Sequence, residues 1–184
     1  MTVVVRRETA ADHARVDALV SDAFGPGRYA KSAYRLREGV KQIEELSFVA
    51  VADGRVVGTV RYWPVDANGT AAIMLGPIAV ATNMQGQGIA LRLMQVSLDA
   101  AREAGHRIVL LVGDEPYYAR AGFKQITPLG AVNMPGPVDP ARVLGLALQD
   151  GALEGLKGEL RKPRIDYPCD ALSAGLAPLA APAK

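Results

Sequence analysis

Residues 85–90, with the sequence Gln-Gly-Gln-Gly-Ile-Ala, are the segment whose composition best suits ligand binding. They lie between a predicted strand, 73–80, and a predicted amphipathic helix that ends near Gly105. The backbone N–H groups of such a turn point the same way, and the helix dipole adds about half a positive charge there. The glycines carry no Cβ, so a phosphate or pyrophosphate can approach the backbone closely. The segment predicts an anion site; the alternative is a tight connection that binds no ligand.

Length and composition restrict the class of protein. A chain of 184 residues has room for one domain with a real core. Hydrophobic residues at 49% and charged residues at 22% are ordinary globular values. A net charge of +2, from scattered Lys and Arg, argues against a nucleic-acid partner. The single Cys169 excludes an internal disulfide, and with only two histidines we expect no metal site.

The chain also lacks the patterns of a membrane or secreted protein. No apolar run approaches the roughly 20 residues that a bilayer-spanning helix needs. The first residues, 1–8, are a short valine run followed by charge, without the architecture of a signal peptide. We therefore expect a cytoplasmic protein with no membrane contact.

Hydrophobic periodicity predicts a chain of alternating strands and helices. Strands are predicted at 3–5, 48–52, 56–63, 70–80, 107–112, 142–148 and within 156–160, and helices at 9–24, 30–45, 89–104 and 114–122. The pair Asp53-Gly54 predicts a hairpin between the second and third strands. Pro77, inside the fourth strand, predicts an edge, a bulge or a break. His106, just past a helix end, is expected to be a solvated charge favoured by the helix dipole.

The chain divides into a domain and a tail. We assign residues 1–162 to a single α/β domain. Residues 163–184 are rich in Ala and Pro and show little periodicity. This tail is expected to be partly disordered, or to form an arm on the surface or on a partner.

The order of elements and two motifs resemble the GNAT acyltransferase superfamily. Residues 85–90 match that family's turn, which reads Arg or Gln, two residues, Gly, one residue, then Gly or Ala. Tyr118 begins a second motif, Tyr-x-x-x-Gly-Phe, after the fifth predicted strand. The sequence of residues 75–80, Leu-Gly-Pro-Ile-Ala-Val, is similar to that of one bacterial subgroup of the family. The resemblance covers roughly residues 3 to 162.

The resemblance implies a fold and a cofactor. The fold is a mixed, mostly antiparallel central sheet flanked by helices, with a V-shaped splay between the fourth and fifth strands. Acetyl-CoA is the expected co-substrate in that cleft. Its pantetheine arm is expected along Ile78, Ala79 and Val80, and its pyrophosphate on the backbone of Gln85, Gly86, Gln87, Gly88, Ile89 and Ala90.

The resemblance also assigns catalytic groups. The Ile78 N–H would face the thioester carbonyl as a one-donor oxyanion site. Tyr118 would act as general acid toward the departing thiolate. Complete proton transfer from a tyrosine to a thiolate is uphill by roughly 2 kcal/mol, so a hydrogen bond that strengthens in the transition state is the better description. The alternative for Tyr118 is a core tyrosine whose hydroxyl meets a backbone carbonyl.

The general base is where the chain departs from the family pattern. An acid or histidine is usual two or four residues before the oxyanion donor, and Gly76 and Met74 stand there. An unperturbed amine is almost fully protonated at neutral pH, so another group must take its proton. The open alternatives are a water chain, a substrate of low pKa, or one of the acids Glu44, Glu45, Asp114 and Glu115.

The function predicted from these residues is acetyl transfer. Acetyl-CoA would donate its acetyl group to a small-molecule or peptide amine by direct attack in a ternary complex. The missing base favours an alternative, a non-catalytic acyl-CoA-binding sensor or regulatory module. A nucleotide site is disfavoured, because the chain has neither a P-loop Lys-Ser/Thr nor a Gly-x-Gly-x-x-Gly fingerprint.

Two further expectations follow by analogy with the family. Tyr29, Tyr34 and Arg35 fall where the acceptor cleft often forms, although a solvated helix face is an equal alternative. Pairing through late strands suggests a homodimer.

Overall fold

The fold is described by a computed structural model, which covers residues 2–30 and 32–163. The strands are β1 (Val3–Arg7), β2 (Phe48–Ala52), β3 (Arg55–Ala67), β4 (Thr70–Val80), β5 (Ile108–Val112), β6 (Lys124–Gln125), β7 (Val132–Asn133), β8 (Val143–Ala147) and β9 (Gly158–Arg161). The α-helices are α1 (His13–Phe24), α2 (Ser32–Arg37), α3 (Ile89–Glu103) and α4 (Glu115–Tyr118). Short 3-10 turns link several of these elements.

One mixed sheet organises the molecule. Its strands lie in the order β1-β2-β3-β4-β5-β8-β6, and β9 pairs with both β3 and β7. Neighbouring strands are antiparallel except for β4–β5 and the short β7–β9 pair, which are parallel. The predicted mixed, mostly antiparallel sheet is therefore confirmed.

The parallel contact between β4 and β5 is short. It joins Ile73 to Val109 and Met74 to Leu110. Beyond that point, among the described strands, β4 continues to Val80 paired only with β3, and β5 continues paired only with β8. The predicted splay between the fourth and fifth strands is confirmed, and it opens at Leu75.

A bulge in β4 lies at the start of this opening. Val60 of β3 faces Ile78, and Tyr62 faces Leu75, so the single residue Arg61 stands opposite Gly76 and Pro77. An extra residue on one strand bends it and interrupts the ladder. The bulge, one of the three possibilities predicted for Pro77, is present; the predicted edge applies as well, because β4 beyond Met74 pairs only with β3 among the described strands.

Helices cover both faces of the sheet. Alternate residues of β2 separate the two cores: Phe48 and Ala50 pack in the cluster of Leu93 from α3, whereas Val49 packs with Val16 of α1. Burying each large apolar side chain contributes roughly 1.5–3 kcal/mol, so the two-sided pattern explains why the strand reads as continuously hydrophobic.

Two predicted boundaries were wrong. The predicted helix 30–45 ends at Arg37, since Gly39 has a φ of +73° that a helix does not allow. The predicted strand 56–63 continues to Ala67, through Pro64. Pro64 faces Ile73 of β4, while β2 pairs only as far as Val60 and β9 only from Asp66. Proline is tolerated there because the second edge of β3 is unpaired at that position.

The environment of His106 also differs from expectation. Its side chain is 9% exposed, rather than solvated, and its backbone N–H donates to the Ala101 carbonyl at 3.0 Å. Burial lowers the pKa of His106, partly offset by Glu45, so burial favours the neutral imidazole. The strands β6 and β7, two residues each, were not predicted.

Among residues 2–30 and 32–163, no helix has the length and apolarity required to cross a membrane. The predicted tail, apart from Pro163, lies outside the described residues. Its role stays a prediction.

A hydrogen-bonded carboxylate fixes the start of α1. Asp12 accepts from Arg6 Nη1 and Nη2 at 2.7 and 2.8 Å, and from the Thr9 N–H and hydroxyl at 2.8 and 2.7 Å. The hydrogen bonds from Arg6, followed by those from Thr9, hold the pKa of Asp12 well below its ordinary value. A depressed pKa stabilises the fold above the unfolded-state value, about pH 4, and that stabilisation is lost as the pH falls further.

We expect Asp12→Asn to lower the free energy of unfolding by about 1–2 kcal/mol at neutral pH, through loss of the charged hydrogen bonds. The difference from the wild type should shrink below about pH 4, where Asp12 of the unfolded wild-type chain binds a proton while the folded carboxylate is still charged. Urea unfolding at several pH values measures both effects. Asp99→Asn is the control, because Asp99 forms an exposed pair with Arg102 and should change stability by less than about 0.5 kcal/mol. A constant difference across the pH range would contradict this account.

Candidate active site

A cleft of about 1060 Å³ opens where β4 and β5 part. Residues 75–78 of β4 form one wall, and residues 111–113 at the end of β5 form the other. Helices α1 and α2, with the loop at 137–139, close the side away from α3. The cleft is therefore a direct product of the short parallel contact, and its size suits a small-molecule ligand.

The glycine turn lies at the far end of β4, outside the lining of this cleft. Gly86 and Gly88 have φ of +75° and +76°, the left-handed region that favours glycine. Within the described chain, the N–H groups of residues 86–88 donate no hydrogen bond. Gln85 holds the turn against the strand by donating from Nε2 to the Val80 carbonyl at 3.3 Å. With Ile89 and Ala90 beginning α3, the turn presents unsatisfied N–H groups at a helix N-terminus.

The strand residues predicted for the cofactor have different environments. Ile78 is half-buried and lines the cleft. Ala79 is buried, and Val80 is half-buried. All three face β3 on one edge, opposite residues 58–60. Their other edge pairs with no strand of the described chain, so its backbone groups remain available.

Tyr118 lies at the cleft, at the end of α4. Its ring meets Tyr117 edge-on at 5.1 Å and Phe123 at 6.2 Å between centroids. The ring lies against the backbone of Gly113, where an added Cβ would be 2.1 Å from Tyr118 Cε2. Within the described residues, the hydroxyl donates and accepts no hydrogen bond. Burial raises the pKa of Tyr118, with smaller contributions from Tyr117 and Asp114.

Most of the acids suggested as general base lie away from the cleft. Glu44 is paired with Lys41 at 3.4 Å, Glu45 is exposed, and Glu115 accepts from the Gln125 N–H at 3.2 Å. Asp114 does line the cleft, but it is paired with Arg142 at 3.2 Å.

The cleft holds three further acids that the sequence did not point to. Asp17 is paired with Arg61 at 3.1 Å, and Asp139 accepts from the Ala141 N–H at 2.9 Å. Glu38 is exposed, and its carboxylate has no ion pair or hydrogen bond in the described part of the chain. Glu38 is therefore the cleft acid whose carboxylate is available.

The acceptor side of the cleft is partly as expected. Tyr29 and Tyr34 line it and meet edge-on, with 4.7 Å between ring centroids. Arg35 does not line it; its Nη1 donates instead to the Pro135 carbonyl at 3.2 Å. Met74 is buried at the base of the cleft, and Gly76 lies on its wall.

Sequence reasoning missed Arg37 and Trp63. The Arg37 guanidinium carbon lies 5.0 Å from the centroid of the Trp63 ring, in a cation–π contact at the cleft. Arg37 was one of several charged residues in a predicted helix, and Trp63 was placed at a strand end. No local pattern distinguishes them, because their proximity depends on how α2 crosses β3.

We expect Gly113→Ala to displace the Tyr118 ring, because the new methyl group would overlap Cε2 and Cδ2. Overpacking of this kind typically costs about 1–3 kcal/mol of stability. The displaced hydroxyl should become more exposed and titrate closer to its ordinary value. Thermal unfolding and an ultraviolet pH titration, read against Tyr118→Phe, measure both. Gly27→Ala is the control, since an added Cβ there meets nothing within 4 Å. An unchanged Tyr118 titration would contradict the contact.

Comparison with known proteins places these features in a family. The profile of the acetyltransferase (GNAT) family matches residues 14–123. The uncharacterised N-acetyltransferase YhbS of Escherichia coli strain K12 is 34% identical over 160 residues, which cover 85% of this chain and 93% of YhbS.

Solved structures give the same result. The crystal structure of Escherichia coli YhbS in complex with CoA has a TM-score of 0.74 and 30% identity, and covers 88% of this chain and 89% of that one. A GNAT family acetyltransferase from Brucella melitensis in complex with acetyl-CoA has a TM-score of 0.61 and 30% identity, covering 80% and 89%. The chain belongs to the GNAT family of acetyltransferases.

Proposed function

We propose that this protein binds acetyl-CoA in the opening between β4 and β5 and transfers the acetyl group to an amine in a ternary complex. The observation that carries the proposal is the free edge of β4, which leads directly into a turn of unbonded N–H groups. Two relatives with 30% identity were crystallised with CoA and with acetyl-CoA, which supports the same ligand here.

The cofactor would use backbone groups almost entirely. Its pantetheine arm follows the free edge of β4 at Ile78, Ala79 and Val80, where amide groups can replace the missing strand partner. Its pyrophosphate lies on the N–H groups of residues 85–90, at the positive end of the α3 dipole. Glycine at 86 and 88 supplies both the left-handed backbone and the space for close approach.

In the transfer step, the amine lone pair attacks the thioester carbonyl carbon and the carbonyl oxygen takes the negative charge. The Ile78 N–H stabilises that oxygen. The C–S bond then breaks, and the Tyr118 hydroxyl hydrogen-bonds to the departing thiolate. The nitrogen loses a proton, which we assign to the free carboxylate of Glu38, acting through water.

A second candidate is a non-catalytic acyl-CoA-binding module. The observation in its favour is that Met74 and Gly76, at the positions usual for a base, have no group that accepts a proton. Such a module would bind acetyl-CoA and release no CoA with any amine.

Calorimetry with acetyl-CoA tests the cofactor site. We expect the wild type to bind and Gly88→Glu to lose binding, because the new carboxylate would occupy the site and repel the negatively charged pyrophosphate. The control is Gly54→Glu in the β2–β3 turn, where φ is +74° and an added Cβ also meets nothing within 4 Å. Both substitutions carry the same backbone cost, about 1–2 kcal/mol. Binding by Gly88→Glu, or its loss in Gly54→Glu, would contradict the assignment of the turn.

Kinetics of a Tyr118→Phe variant test the transfer step. We expect kcat to fall by about 10²-fold or more, with the affinity for acetyl-CoA retained. Burial raises the pKa of Tyr118, so its hydroxyl stays protonated above the ordinary tyrosine pKa near 10. The decrease of kcat at high pH that its deprotonation causes should therefore lie above pH 10. Tyr117→Phe is the control, because Tyr117 is 41% exposed. Equal kcat in the wild type and Tyr118→Phe would remove this residue from the mechanism.

A further inference from the structure

Arg37 places an unpaired cation in the cleft. Its Nε is buried and has no hydrogen-bond partner among the described residues. Across the same residues its guanidinium forms no ion pair, and the contact that it does make is with the face of Trp63. Burial lowers the pKa of Arg37 to about 10, which still leaves it positively charged at neutral pH.

The other arginines of the cleft are satisfied. Arg61 is bound by Glu8 and Asp17, and Arg142 by Asp114. Arg28 donates to the Gly25 carbonyl at 3.0 Å and lies 4.2 Å from the centroid of the Tyr29 ring. Arg37 therefore differs from its neighbours in that no group of the described residues accepts from its N–H groups.

The position of this guanidinium relative to β4 is informative. An added Cβ at Gly76 would lie 2.9 Å from Arg37 Nη2. Gly76 also has a φ of +127°, which L side chains rarely adopt. The space that a side chain at position 76 would fill, two residues before Ile78, is thus taken by a cation rather than by a base.

Arg37 as a residue is half-buried, but its Nε is closed off from solvent and has no acceptor among the described residues, an arrangement that favours a ligand able to pair with it. The planar guanidinium matches a carboxylate, which it binds through two parallel N–H donors. Pairing the acceptor's carboxylate with Arg37 also removes the charge that stabilises the neighbouring ammonium, so the amine loses its proton more readily and reacts without a strong base. This effect on the amine compensates for the absence of a proton-accepting side chain at Gly76 and Met74.

We propose that Arg37 binds a carboxylate of the acyl acceptor, so that the acceptor carries its amine and a carboxylate on one molecule, as an amino acid does. This inference rests on the proposed function, because it places the amine at the carbonyl held by Ile78. Two residues of extended strand span at most roughly 7 Å, and the hydrogen bonds at the two ends, from Arg37 to the carboxylate and from Ile78 to the thioester carbonyl, take up part of that length, so an amine and a carboxylate on one small molecule can reach both.

The walls of the cleft indicate which amino acids fit. Tyr29, Tyr34, Val40 and Trp63 all line the cleft, beside its charged residues. Their rings and aliphatic groups offer apolar surface, which suits an acceptor with an apolar or aromatic body. Phenylalanine and its carboxamide are therefore a suitable first pair of probes, followed by the other amino acids and their carboxamides.

The experiment measures CoA release with each matched acid and amide, using the full chain and saturating acetyl-CoA. We expect kcat/KM to favour the acid by roughly 30-fold or more in the wild type, and this preference to disappear in Arg37→Met. Arg37→Lys keeps the charge but loses the planar pair of N–H donors, so it should retain part of the preference for the acid. Arg35→Met is the control on the same helix and should keep the full preference, because Arg35 does not line the cleft.

A second measurement separates acceptor binding from a structural role. Arg37→Met keeps an apolar stem against Trp63 and removes the unpaired charge, so its thermal midpoint without acceptor should equal or exceed that of the wild type. A fall in the midpoint would indicate a structural residue and overturn the inference.

The outcomes distinguish this inference from the proposed function. Acetyl-CoA binding without turnover of any amino acid, equal use of acids and amides, or a preference that survives Arg37→Met would each overturn the role of Arg37 alone. Failure of the wild type to bind acetyl-CoA would overturn the proposed function and this inference with it.

Discussion

The two-residue parallel contact between β4 and β5 is the constraint on which the rest of the structure depends. A longer ladder would close the sheet and leave no space between residues 75–78 and 111–113. β5 is instead held by β8 over its whole length, so it stays ordered while its other edge opens. The glycine turn follows the end of β4, and α4 with Tyr118 follows the end of β5. Tyr118 lines the opening and the turn lies at the far end of β4, and neither needs a long connection, because each follows one of the diverging strands.

The charges of the cleft form a consistent pattern around that opening. Its acids and arginines pair with one another or with the backbone, with Arg37 and Glu38 left over in the described chain. An acid at position 76 would pair with Arg37 and neutralise it. The missing base and the unpaired cation are therefore two aspects of one arrangement, in which β4 supplies backbone groups and α2 supplies the charge. Within the described chain the guanidinium lies against the Trp63 ring rather than a carboxylate, which keeps it available.

Local pattern was sufficient for much of the fold. The limits of β4, the hairpin at Asp53-Gly54 and the short helix before Gly122 each have a signal within a few residues. The sequence did not reveal the strands β6 and β7, because two residues carry no periodicity and are defined by their partners. The predicted β3 was too short, because whether Pro64 is tolerated depends on which edge of the strand is paired. The predicted α2 was too long, because the helical spacing of apolar residues continues past Gly39, where the positive φ does not allow a helix. The predicted cofactor and catalytic roles of the site residues rested on resemblance and remain predictions. The position of Arg37 in the cleft depends on how α2 crosses β3, which no local pattern encodes.

The close contact of Gly113 with the Tyr118 ring couples two positions that are five residues apart in the chain. While the aromatic ring holds its place, a Cβ at 113 overlaps it, so position 113 favours glycine. If the ring were first replaced by a small side chain, larger residues would become tolerable at 113. Restoring the tyrosine would then require the glycine to return beforehand. The two sites form an evolutionary ratchet: the order in which substitutions occur decides whether a lineage that has lost the aromatic hydroxyl is able to regain it.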